Sequence, residues 1–145
     1  MKKATLSKNK RKKGVNKQNL ELDLEAVKVL RTVKEQEAFY FYEAIGKPTG
    51  EVVQNLTDFL DKVKSVKPES LMFHLQRKDF QNWIEKILGD SKLAQELERI
   101  SLTNTDDIRM RIHETVENRI KQLQGLSATA MIEENATVLL LSSQS

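Results

Sequence analysis

From Leu56 onward the apolar residues recur three and four positions apart in successive segments, and this spacing restricts the chain to amphipathic helices packed on one another. Leu56, Phe59, Leu60 and Val63 fall at i, i+3, i+4 and i+7. Phe80, Trp83, Ile84, Ile87 and Leu88 form the most regular stripe, and Leu93, Ala94, Leu97 and Ile100 form a shorter one. Ile108, Ile112, Val116, Ile120 and Leu123 carry the pattern along a last long helix over roughly 106–124. A chain of 145 residues patterned this way makes one ordinary domain and is too short for a two-domain enzyme. The apolar run Val138–Leu141 is four residues, where a bilayer span needs about 20. Lysines at the start without an apolar stretch do not make a secretion signal. With no cysteine to form disulfides, thiol nucleophiles or thiolate metal sites, the expectation is a cytoplasmic protein without a membrane partner.

Punctuation residues set the expected boundaries. Asn55, with Asp58 three residues on, reads as a helix N-cap. Pro68 disfavours helical geometry at Lys67 and suits the first turn of a new helix, so one helix ends near Val66 and the next covers about 68–77, burying Leu71, Met72 and Leu75. Asp79 interrupts and is read as the cap of the following helix. Gly89 closes that helix, and Asp90 or Ser91 caps the next. Nearer the start, Leu20, Leu24, Val27 and Leu30 step by four, three and three, which predicts a helix running to about Lys34 or beyond with that face inward, widened by Leu22, Val29 and Val33. Phe39–Tyr42 is ambiguous: aromatics favour strands, but four residues without a partner strand make a poor sheet. The segment is read as the aromatic end of a helix that stops at Gly46, with Gly46–Gly50 as a loop between helices. The fold class expected is all-α: a compact bundle of five to six short helices over 19–124, with a disordered basic arm at 1–18 and a weakly structured tail at 125–145.

Charge divides the chain in two. The net charge is +3, yet residues 1–17 hold eight bases and no acid, leaving 16 bases against 21 acids, net −5, in residues 18–145. The arm has almost nothing to bury and cannot offset its conformational entropy. Its dense centre, Lys8, Lys10, Arg11, Lys12 and Lys13, is attracted to phosphate without sequence preference and with strong salt dependence. Nucleic acid is therefore an expected partner of residues 1–17; the alternatives are a solubilising tail held off the acidic body or folded back on it, and a membrane-surface or targeting role. The helical surface, with Ala136–Leu141, is expected to meet a protein partner or a second copy.

His74, Arg77, Asp79 and Trp83 are the best candidates for a site. On a helix His74 and Arg77 face the same way, and Asp79 at the turn can return to either. Such a cluster would bind an anion or small polar ligand beside the Trp83 ring. An alternative assignment makes all four structural: Asp79 as a cap, Arg77 at a helix C-terminus, His74 in a corner hydrogen bond and Trp83 in the core. Segments 68–77 and 80–88 also read as a helix-turn-helix presenting Gln81, Asn82 and Lys86 to a groove, against which stand the acids Glu85 and Asp90. His113 and Glu117 share a helix face, but a third metal ligand is missing, and the second ligand of a zinc helix, at position 117, is Glu rather than His. No serine lies in a nucleophile elbow. No metal or cofactor is expected, and the chain reads as a non-enzyme.

The block Phe73-His-Leu-Gln-Arg-Lys-Asp-Phe-Gln-Asn-Trp-Ile84, followed by Leu88-Gly-Asp and Leu93-Ala94, resembles a group of uncharacterised, largely archaeal helical domains of unknown function. Phe39-Tyr-Phe41, the Gly46–Gly50 turn and Asn55-Leu-x2-Phe59-Leu60 extend the likeness over about residues 38–100. The resemblance implies an all-helical domain found alone or attached to larger proteins, some similar to sugar-metabolism enzymes, and implies no activity. Two functions follow as expectations. One is a non-enzymatic helical binding module whose basic arm adds nonspecific nucleic-acid affinity. The other is a regulatory or ligand-sensing domain for sugar metabolism with a pocket near His74 and Trp83.

Overall fold

A computed structural model describes residues 24–103 and 107–125. The basic arm and the Ala136–Leu141 segment lie outside the described residues. The chain divides into a unit of Lys28–Lys121, which holds the hairpin and the site described below, and a second unit drawn from the two ends, Met1–Val27 with Gln122–Ser145. The described chain is mostly helical with one small sheet. In order the described residues form α1 (24–30), a 3-10 turn (Glu35–Glu37), β1 (Phe39–Ala44), β2 (Lys47–Val53), α2 (Leu56–Ser65), α3 (Pro68–Arg77), α4 (Asp79–Asn82) running into a π-helical stretch (Trp83–Leu88), α5 (Ser91–Glu98) and α6 (107–125). No helix among the described residues is long and apolar enough to cross a membrane.

Several boundaries follow from local chemistry. The Asn55 side chain accepts the Asp58 amide at 2.7 Å and caps α2. Pro68 opens α3. Gly89, at φ +86°, ends the π-helical stretch in the left-handed region that glycine enters without a Cβ penalty. Asp90 caps α5 through the Leu93 amide.

Two expectations are corrected. The fold is not purely all-α, because Phe39–Tyr42 is strand and Lys47–Val53 pairs with it antiparallel, Phe39 opposite Val53 and Tyr40 opposite Val52. The partner strand is hidden in the sequence by Pro48 and Gly50, which read as loop residues. A proline is tolerated on an edge strand, and Gly50 sits at φ +89° where the register slips between the Tyr40 and Tyr42 pairs. Gly46, at φ +77°, completes the two-residue turn with Ile45. Phe39 and Phe41 alternate inward and Tyr40 and Tyr42 outward, the period of two that marks a strand.

The second correction concerns α1, which stops at 30 rather than near Lys34. The Val33 amide donates to the Gln54 carbonyl, and the Gln54 side chain donates to the Val33 carbonyl, both at 2.8 Å, so an extended chain is held beside β2. Of the residues expected to face inward, Val29 and Val33 are buried, as is Ala26, whereas Leu24 and Val27 are 58% and 67% exposed. Arg31, just past the helix, donates to the Ile87 carbonyl at 2.7 Å and the Leu88 carbonyl at 3.3 Å, supplying a cation where helix carbonyls end unpaired.

The core is centred on aromatic rings from three elements. Phe39 and Phe41 of β1 meet Phe59 of α2 and Phe80 of α4, with centroids 5.0–6.2 Å apart in a mixture of edge-on, tilted and stacked pairs. This cluster fixes the hairpin against α3 and α4 and so positions the site.

Candidate functional site: the corner between the hairpin and helix α3

α3 ends at Lys78, whose φ of +65° turns the chain sharply into α4. Asp79 is therefore the first residue of α4 rather than its cap, and no side chain caps that helix. Its carboxylate turns back instead. Asp79 Oδ2 accepts from His74 Nδ1 at 2.8 Å and from Arg77 Nε at 3.1 Å.

The other nitrogen of His74 determines the tautomer. Nε2 lies 2.8 Å from the Tyr42 amide, which can only donate, so Nε2 accepts and the ring proton resides on Nδ1, facing Asp79. His74 is thus a neutral ring that bolts β1 to the α3–α4 corner. Burial lowers its pKa below the usual 6.5, partly opposed by Asp79 and reinforced by Arg77. Arg77 also lies over the Phe73 ring, its guanidinium carbon 5.0 Å from the centroid.

Trp83 is buried, and its indole N–H donates to the Glu37 carbonyl at 2.7 Å. It shares a cleft with the cluster but is separated from it by Phe39, whose ring is 4.8 Å from His74 and 5.7 Å from Trp83. The cleft has a volume of about 420 Å³ and is bordered by Tyr40 and Tyr42 of β1, Phe73 and Arg77 of α3, Asn82 of α4 and Trp83. The four residues singled out from sequence all border this space. Tyr40, Tyr42 and Asn82 also belong to it; the alternation of Phe39–Tyr42 was the signal that could have revealed the first two.

Of the three residues that the helix-turn-helix alternative presents to a groove, Asn82 and Lys86 are exposed and Gln81 is buried. His113 Nδ1 and Glu117 Oε1 are 4.0 Å apart on one face of α6, as their spacing required. No group of three or more metal-ligating side chains occurs among the described residues. A second cavity of about 410 Å³ touches Lys64, Arg109, Met110 and His113, with Arg109 donating to the Val63 carbonyl at 2.7 Å.

A buried ion pair escaped sequence reading. Arg119 holds Asp90 by two hydrogen bonds, at 2.7 and 3.2 Å. Its signal was positional: Arg119 stands three residues after Val116 and seven after Ile112, on the buried stripe of α6.

The chain matches no protein-family model, no curated protein and no solved structure. The likeness of residues 38–100 to the archaeal helical domains rests on its motifs alone.

Proposed function

We propose that this chain is a small non-enzymatic binding module whose folded body takes a ligand in the cleft beside β1, while the basic arm adds nonspecific affinity for nucleic acid. The observation that carries the first part is the cleft itself: aromatic walls, a few polar groups at one end and a volume in the range of ligand sites. A ligand-sensing role of this kind is compatible with the metabolic setting that the archaeal resemblance implies.

The non-enzymatic part rests on His74. A His–Asp hydrogen bond is half of a nucleophile-activating relay, but such a relay needs the far nitrogen free to take a proton from the nucleophile. In this chain Nε2 is already occupied by the Tyr42 amide.

Titration of the isotope-labelled chain with indole and phenol tests the cleft. Saturable shifts of the Trp83 indole and Asn82 amide signals are expected, and their absence at millimolar probe would remove the reading. For the arm, binding to random duplex DNA or RNA should fall steeply with salt and vanish when residues 1–17 are deleted. Undiminished binding by the deletion variant would rule the arm out.

A further inference from the structure

Among the described residues, the cleft runs along a strand edge that is unpaired at Tyr40 and closed by His74 at Tyr42. In a strand, alternate residues point their N–H and C=O groups to the same side. The Thr49 hydroxyl of β2 donates to the Phe41 carbonyl at 2.9 Å, which marks the β2 side for Phe41. The Tyr42 amide faces the opposite way, to His74. Tyr40, two residues before Tyr42, therefore presents its N–H and C=O to the outer edge as well, and both Tyr40 and Tyr42 border the cleft. Among the described residues, His74 is the only side chain bonded to this edge.

An open edge beside an apolar cleft suits an extended peptide, with main-chain bonds to the strand and a side chain in the cleft. At Tyr42 the His74 ring occupies the position a pairing strand's carbonyl would need. The Tyr40 and Tyr42 amides are about 7 Å apart, so a strand laid against Tyr40 meets this block after about two residues. Beside the block, and also bordering the cleft, is Arg77, bonded through Nε to the same Asp79 oxygen that holds His74. Stacking on Phe73 orients its guanidinium, and its two terminal nitrogens have no partner among the described residues. A fixed guanidinium with free terminal nitrogens is a fork for a carboxylate.

Resting on the cleft as the binding site, we infer that its ligand is the C-terminal end of an extended peptide: main chain on Tyr40, last apolar side chain among the aromatic walls, terminal carboxylate on Arg77. Each part answers one observation, namely the Tyr40 edge unpaired among the described residues, the cleft, and a cation that shares the Asp79 oxygen with the ring blocking Tyr42.

The test titrates the full isotope-labelled chain with acetylated pentapeptides ending in Val, Leu or Phe, as free acids and as C-terminal amides. At least one acid should shift the Tyr40 amide, slow its hydrogen exchange and move the Trp83 indole signal. Its amide should bind roughly tenfold more weakly, and in Arg77→Gln the acid and amide should bind alike. The wild-type comparison of acid with amide decides the carboxylate contact even if that variant folds poorly. Equal binding of acid and amide to the wild type overturns the C-terminal assignment, and an unchanged Tyr40 amide with every peptide overturns the peptide. Either result, if accompanied by Trp83 shifts with indole, leaves the cleft reading intact. Failure of both peptides and indole to move Trp83 would overturn the cleft itself.

Discussion

Arg119 and Asp90 form a two-pronged ion pair sealed inside the fold, the side chains 4% and 1% exposed, with Nε to Oδ2 at 2.7 Å and Nη2 to Oδ1 at 3.2 Å. Asp90 Oδ1 also accepts the Leu93 amide at 3.2 Å. One carboxylate thus caps α5 and anchors α6, which makes it the point where the two helices depend on each other.

Removing one partner strands a buried charge. Arg119→Met should lower unfolding free energy by about 3–5 kcal/mol, measured by urea denaturation. Asp90→Asn combined with Arg119→Met keeps an acceptor for Leu93 and removes both charges, so the double variant should be more stable than Arg119→Met alone. A double variant as unstable as the sum of the single ones would show that the pair is not coupled.

His74 makes stability depend on pH. Its pKa is lowered in the fold, so the unfolded chain binds the extra proton more readily than the native one. The stabilisation is therefore fully present above about 6.5, the unfolded value, and is lost as pH falls from there toward the lower folded value. A protonated ring also sets an Nε2–H against the Tyr42 N–H. His74→Gln should be less stable at pH 7 by about 1–3 kcal/mol, and the gap between wild type and variant should narrow between pH 7 and 5. A gap constant over that range, read from denaturation midpoints, would contradict the lowered pKa of the buried ring.

Gly46 and Gly89 have similar backbone angles in different surroundings. A Cβ at Gly46 meets nothing within 4 Å, whereas one at Gly89 comes within 2.6 Å of the Lys28 side chain. Left-handed geometry alone costs about 1–2 kcal/mol for a residue with a Cβ. Gly46→Ala and Gly89→Ala should both lose about that much in thermal or urea unfolding. Gly89→Ala should be only slightly worse, because the end of a lysine can swing away; a far larger loss would mean that Lys28 is fixed there.

Trp83→Phe removes the donor to the Glu37 carbonyl and part of a buried ring. A loss of about 1–3 kcal/mol is expected by circular-dichroism-monitored unfolding. An unchanged stability would show that the indole N–H contributes little to holding the 3-10 turn.

Much of the helical frame was legible along the chain because its signals are local. Asn55, Pro68, Gly89 and Asp90 act on backbone groups within a few residues, and the spacing of Leu56, Phe59 and Val63 or of Ile108, Ile112 and Val116 reports one helix face directly. The return of Asp79 toward His74 and Arg77 was legible for the same reason, since five residues separate the ends of that contact.

What the sequence alone determined was where most helices begin and end and which turn gathers the charged cluster. Tertiary structure decided the rest. Phe39–Tyr42 became a strand because Lys47–Val53 folded back on it, although Pro48 and Gly50 disguise that partner. α1 ended early because Gln54 captured Val33 across 21 residues. Which way His74 points its lone pair, and whether Arg119 finds Asp90 29 residues away, are settled by groups distant in sequence. Hydrogen bonds of that kind leave no periodicity behind, because their partners meet only after the apolar faces have packed.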